Sequence, residues 1–76
     1  MENKIIDIIV EVCGEESIRN NLDIDLIEND LLDSLAFITL ITRLEEEFNI
    51  EIQPTQVNPD TWRKVDAIVK MVKEYI

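Results

Sequence analysis

Apolar residues fall at positions 5, 6, 8, 9, 12 and 13 of the chain, a spacing that returns to one side of a helix every turn. The pattern predicts a first helix from about Glu2 to Cys13, with Gly14 as its stop signal. Residues 15 to 33 carry no helical period. Within them Leu22-Asp23-Ile24-Asp25-Leu26 alternates apolar and acidic side chains as a strand would. No second run offers it a partner, and a lone strand has little stability. The segment therefore reads as an ordered loop whose leucines and isoleucines reach into the core. Loops of this length in a compact domain are often functional.

A second helix is predicted from Ser34 to Phe48. At about 100° per residue, Phe37, Leu40, Ile41, Leu44 and Phe48 gather on the core side, while Leu35, Ile38, Thr39, Thr42, Glu45 and Glu46 share the opposite one. Leu35 and Ile38 are then apolar side chains facing solvent beside Ser34, which suggests a docking surface. "FNIEI" leaves this helix in extended form. Pro54 to Trp62 is irregular with one short helical turn, and Asn58-Pro59 is a turn or cap signal. A last helix runs from about Lys64 to Tyr75, with Val65, Ile68, Val69, Val72, Tyr75 and Ile76 in one stripe. The fold class is all-α: a small bundle of three main helices plus a short helix or turn, with a long first loop. All 76 residues are expected to form a single domain.

A chain of this size buries only roughly 60% of the surface its unfolded form exposes, which leaves little room for a deep pocket or a large catalytic apparatus. Its net charge is −10, from 17 acids against 7 bases. Such a surface repels phosphate backbones and anionic membranes and complements a basic protein surface, although acidity also serves solubility alone. Cys13 is the sole cysteine, so no internal disulfide can form. With no targeting segment in view, that points to a reducing, cytoplasmic setting. The run Ile5-Ile6-Asp7-Ile8-Ile9-Val10 is too short to span a bilayer and is interrupted by an acid. Cys13 itself reads as the filler of an apolar helix position.

Nucleophilic catalysis by serine or cysteine usually needs a neighbouring base, most often histidine, and the chain has none. No spacing suggests a serine–lysine pair. Asp23 and Asp25 match the first two ligands of a calcium-binding loop, but Ile27 stands at the fifth position, Glu28 replaces the glycine at the sixth, and Ser34 replaces the closing glutamate. One cysteine without histidine does not make a zinc site. Ser34 is left as a handle to be modified. At a helix N-terminus its hydroxyl lies near unpaired backbone N–H groups and the positive end of the helix dipole, where an attached phosphodiester is favoured. The competing reading is that Asp33 or Ser34 merely caps the helix, a contribution of about 1 kcal/mol.

Over a longer stretch the residues carry more. "DSLAFITLITRLEEEF" resembles the second helix of acyl carrier proteins, in which the serine of Asp-Ser-Leu bears 4′-phosphopantetheine. The shared features are Asp33-Ser34-Leu35, the apolar spacing through Leu40 and Leu44, and the ending Leu44-Glu45-Glu46-Glu47-Phe48. The resemblance extends over essentially the full chain. Within that superfamily, "NLDIDLIENDLLDSL" and "VNPDTWRKVDAIV" are similar to the D-alanyl carriers of Gram-positive lipoteichoic acid modification. Most fatty-acid carriers lack a tryptophan like Trp62, which reads as a cover for the core edge. The chain departs from the common pattern in two respects. Ala36 and Thr39 replace acids early in the second helix, with Arg43 further on, and Lys64 stands where a small hydroxylated residue or proline often opens the final helix.

The resemblance implies an acyl-carrier-like bundle with no catalytic group of its own. It implies a 4′-phosphopantetheine arm placed on Ser34 by a phosphopantetheinyl transferase, with Asp33 helping that enzyme to dock. A D-alanine–carrier protein ligase would charge the arm, and a membrane-bound D-alanyl acyltransferase would receive the cargo for lipoteichoic acid. Leu35 and Ile38 would touch partners apolarly, beside Thr39 and Thr42, while Glu45 and Glu46 would meet basic residues. The chain is expected to be a cytoplasmic monomer that neither inserts into membrane nor binds nucleic acid. A fatty-acyl or polyketide carrier, a freestanding peptidyl carrier, and an unmodified acidic binding module remain as alternatives.

Overall fold

Isoleucine and valine fill the first helix, residues of modest helix propensity, so its stability has to come from packing. The computed structural model, which describes residues 2–76, provides that packing. Helix α1 (Glu2–Cys13) buries Ile5, Ile6, Ile8, Ile9 and Val10, a face broad enough to receive both α2 (Ser34–Phe48) and α3 (Val65–Tyr75). Ion pairs Lys4–Glu47 at 3.3 Å and Glu11–Arg43 at 2.6 Å set α2 antiparallel to α1, and Glu2–Lys73 at 3.3 Å does the same for α3. Each such exposed pair adds little stability; the buried apolar faces hold the bundle. Its radius of gyration, 11.1 Å, is that of a fully compact chain of this length, about 11 Å.

The helix ends follow local chemistry. Gly14 adopts φ +68° and its N–H meets the Val10 carbonyl at 2.8 Å. Nothing lies within 4 Å of where a Cβ would stand, so the left-handed conformation selects glycine, not a lack of room. Asn49, at φ 53°, closes α2 in the same way, its N–H returning to Glu45 O. On α2 the core side is as the spacing predicts. Leu40, Ile41 and Leu44 are buried and Phe37 and Phe48 half-buried, while Leu35 and Ile38 are 75% and 61% exposed.

The connections hold more structure than their sequence discloses. A 3₁₀ turn at Glu16–Asn20 buries Ile18 within what reads as irregular loop. Two such turns, Pro54–Gln56 and Pro59–Arg63, replace the single one expected between Pro54 and Trp62. The alternating Leu22–Leu26 run does find a partner, though for one residue pair only: an antiparallel bridge joins Asp25 to Lys64. Leu26 N–H donates to Arg63 O at 2.6 Å and Asp66 N–H donates to Leu22 O at 3.2 Å. Lys64 is consequently extended, at φ −123° and ψ 140°, and α3 begins at Val65, one residue after the expected start near Lys64. Lys64 gives α3 no side-chain cap; the Leu22 carbonyl instead receives one of the helix's free N–H groups. Leu26 and Leu32 are buried and Leu22, Ile24 and Leu31 half-buried, so the loop contributes to the core.

Asp25 fastens this loop. Its Oδ1 accepts from the N–H groups of Ile27 at 3.0 Å and Glu28 at 2.9 Å, and its Oδ2 accepts from Arg63 at 3.0 Å. The Glu28 N–H, helped by the Arg63 guanidinium and the Ile27 N–H, holds the Asp25 carboxyl below its ordinary 3.8. A depressed folded value means stabilisation that is present above the unfolded pKa and lost as pH falls through the folded one. Asp25→Asn is therefore expected to melt below the parent chain at pH 7, with the gap closing as pH falls below the ordinary carboxylate range. Paired thermal melts across that range check this; a gap independent of pH would show that the charge is not what fastens the loop.

Candidate functional site

Asp33 and Ser34 compete for the capping role in the sequence, and the geometry assigns it to Asp33. At φ −92° and ψ −177°, Asp33 sits just outside the helix, and its Oδ1 accepts from Ala36 N–H at 2.8 Å. Ser34 is the first helical residue. It is exposed, and its hydroxyl makes no hydrogen bond to the described residues. Asp33→Ala removes the cap and is expected to cost about 1 kcal/mol, lowering the melting temperature by roughly 4–8 °C. Asp33→Asn, which can still accept, should recover most of that loss in a thermal melt.

A groove of about 410 Å³ opens beside the serine, lined by Ile27, Leu32, Asp33, Ser34, Phe37, Pro59 and Trp62. One wall comes from the loop. The Leu26 carbonyl accepts from both Leu31 N–H, at 2.8 Å, and Leu32 N–H, at 3.1 Å, folding the chain back so that Leu32 turns inward and Ile27 stays 41% exposed. The other wall comes from the Pro59–Arg63 turn. Asn58 caps it, accepting from Asp60 N–H at 2.9 Å, with Pro59 at the first position, where a missing N–H costs nothing. That turn delivers Trp62, only 4% exposed, edge-on to Phe37 with ring centroids 5.0 Å apart and planes at 86°. Trp62 is thus a core residue with one edge on the groove, rather than a cover at the core's margin. A separate depression of about 470 Å³, between residues 56–61 and α3, shares no residue with this groove.

The remaining site residues divide. Leu35, Ile38, Thr39, Thr42 and Glu46 are all exposed, as their helical spacing predicts. The Thr39 and Thr42 hydroxyls donate to Leu35 O and Ile38 O, each at 3.0 Å, so their side chains lie along the helix. Glu45 departs from the expectation. It is half-buried, and its Oε2 accepts from Ile52 N–H at 2.9 Å, tying the chain after α2 to that helix. It serves the fold before any partner. Ile27, Leu32, Phe37, Pro59 and Trp62 were not anticipated beside Ser34, because five positions from three segments meet there only in the folded chain.

The chemistry open to the site is limited. Burial, with the Asp33 carboxylate adding to it, pushes the Cys13 thiol up to about 11, so it is protonated and unreactive at neutral pH. Among the described residues no group of three or more His, Cys, Asp or Glu side chains could hold a metal ion. No described helix is long and apolar enough to cross a membrane. Ser34 lacks an activating base, so it can receive a group but not drive a reaction. A phosphodiester fits there. The hydroxyl is free, the cap is supplied by the neighbouring residue, and the amides of the first turn of a 15-residue helix point toward it.

A helical bundle presenting one unengaged serine at a helix start is the form of a carrier, and the family model for the phosphopantetheine attachment site matches residues 3–72; the chain belongs to that family. Among its relatives it is 41% identical over 73 residues to the D-alanyl carrier protein of Abiotrophia defectiva, a match covering 92% of each chain. It is 38% identical over 74 residues to the D-alanyl carrier protein of Lactococcus lactis subsp. lactis, covering 97% of this chain and 94% of that one. It is 30% identical over 73 residues to the D-alanyl carrier protein of Bacillus cereus strain B4264, covering 96% and 92% respectively. By name, these relatives are carriers.

Proposed function

We propose that the chain is a D-alanyl carrier, a single domain over residues 1–76 whose Ser34 bears 4′-phosphopantetheine and which works as a cytoplasmic monomer. It passes D-alanine from a D-alanine–carrier protein ligase to the membrane-bound acyltransferase that modifies lipoteichoic acid. The observation that carries the reading is the free, exposed Ser34 hydroxyl at the start of α2, left available because Asp33 supplies the cap. The relatives' names supply the cargo.

Attachment requires Ser34 Oγ to bond to the phosphorus next to the pantetheine of coenzyme A. The pyrophosphate bond breaks, adenosine 3′,5′-bisphosphate leaves, and the serine proton passes to a base of the transferase, since this chain offers none. The bound arm supplies a terminal thiol that holds D-alanine as a thioester. The protein's own residues then serve recognition and tethering. Leu35 and Ile38 give apolar contact, Thr39, Thr42 and Glu46 flank them, and Asp33 both caps the helix and faces the transferase. Glu45 contributes to this face through the segment it anchors at Ile52. Tethering replaces free diffusion of the cargo by a high effective concentration at each partner. The groove beside Ser34 is open and backed by the packed Trp62–Phe37 pair.

The test is sequential loading followed by intact mass and fragmentation. Coenzyme A with a phosphopantetheinyl transferase should arm Ser34, and a D-alanine ligase with ATP should then add D-alanine but not L-alanine. An arm on any other residue, or charging only by longer acyl groups, would overturn the proposal.

A further inference from the structure

Of the seven basic side chains, six are engaged by acids of the same molecule. Lys4 pairs with Glu47, Arg19 with Asp7 and Glu16, Arg43 with Glu11, Arg63 with Asp25 and Asp60, Lys64 with Asp23, and Lys73 with Glu2. The negative charge left over is unevenly placed. Glu28, Asp30 and Asp33, all exposed and without an ion pair among the described residues, fall within six positions just before Ser34. The same stretch holds Ile27, the one large apolar side chain of the loop that stays outside, on the lip of the Ser34 groove. It does not hang there loosely. Leu26 N–H is fixed to Arg63 O, and the Ile27 and Glu28 N–H groups are fixed to the Asp25 carboxylate, so the following side chain is presented in a set direction.

We infer that Ile27, rimmed by Glu28 and Asp30, is a docking point for the enzyme that attaches the arm, a surface crossing from α2 onto the loop; the inference rests on Ser34 being the attachment residue. Distance singles out this partner. An enzyme that acts on the serine hydroxyl itself must approach to bonding distance and cover the lip of the groove, whereas one that acts at the far end of a long flexible arm need not. Charge agrees with it, because an enzyme that grips the phosphates of coenzyme A presents basic groups around its site, and those groups meet Glu28, Asp30 and Asp33. An apolar side chain inside a charged rim is the usual anatomy of a small energetic centre in an interface.

The experiment compares rates of arm attachment, by intact mass, for the parent chain and for Ile27→Ala/Glu28→Lys, with coenzyme A and a phosphopantetheinyl transferase. Glu74→Lys, a change of an exposed acid on α3 outside the groove, is the charge control. The double variant should lose at least about tenfold in kcat/KM, the scale of one buried interface anchor, while Glu74→Lys stays within about twofold. Once armed to completion, the double variant should be charged with D-alanine at close to the parental rate. Glu28→Lys alone, a change at an exposed position, should show part of the loss and a weaker dependence on salt, because one of the charges that attracts the basic enzyme is gone. Attachment to the double variant at the parental rate overturns the docking point while leaving Ser34 in place. A parent chain that is not armed at all overturns both readings, and a charging defect equal to the attachment defect assigns Ile27 to a general surface and overturns the choice of partner.

Discussion

Ser34→Ala should accept no arm and carry no thioester, yet melt within a few degrees of the parent chain. Both halves follow from the same geometry. The hydroxyl is the only atom removed, and it makes no hydrogen bond to the described residues. The helix keeps its cap, because that bond runs from Ala36 N–H to Asp33 Oδ1. An exposed substitution of this kind changes stability by no more than about 0.5 kcal/mol, or roughly 2–4 °C in a domain of this size. Asp33→Ala should show the opposite pattern, a clear loss of stability with the attachment hydroxyl retained. Mass spectrometry after loading and a thermal melt on each variant separate the two roles. A Ser34→Ala protein that still bears a thioester would refute the attachment site. One that loses as much stability as Asp33→Ala would make Ser34 a structural residue after all.

That pair of residues also marks how far the sequence alone could be read. Asp-Ser at a helix start announces a cap and a candidate handle, but either side chain could fill either role. Only backbone angles at Asp33 and the direction of its carboxylate decide between them. The helices were legible because their signals are local. Apolar spacing and Gly14 define α1 to the residue, and the α2 spacing separates exposed Leu35 and Ile38 from buried Leu40 and Leu44. Where the deciding contact is distant in the chain, the reading fell short. Asp25 meets Lys64 across 38 intervening positions, so the alternation of Leu22–Leu26 could suggest extended backbone but not its partner. Glu45 lies on the outer face of a helical projection, yet the left-handed turn at Asn49 brings Ile52 N–H back to it. The groove was illegible for the same reason, since its walls come from the loop, α2 and the Pro59–Arg63 turn.

The second large effect is at Trp62, where the fold and the site share one side chain. Trp62 belongs to the same buried cluster as Ile9, Leu26, Leu40 and Ile68 while its edge lines the groove beside Ser34. Truncating a buried tryptophan to alanine costs about 3–5 kcal/mol, against a total of roughly 4–11 kcal/mol for a chain of this length. Trp62→Ala should therefore forfeit roughly a quarter or more of the stability and at the least unfold at far lower denaturant. Trp62→Phe keeps an aromatic ring against Phe37 and should retain much of it, with a smaller deficit from the volume lost. Urea unfolding followed by circular dichroism measures both, since the substitutions remove the chain's only tryptophan as a fluorescent reporter. A loss below about 1 kcal/mol for Trp62→Ala would place the side chain at the surface and detach the groove from the core. A large loss would mean that the wall facing Ser34 is as rigid as the bundle interior. The carrier would then offer its arm from a fixed platform, with flexibility confined to the arm itself.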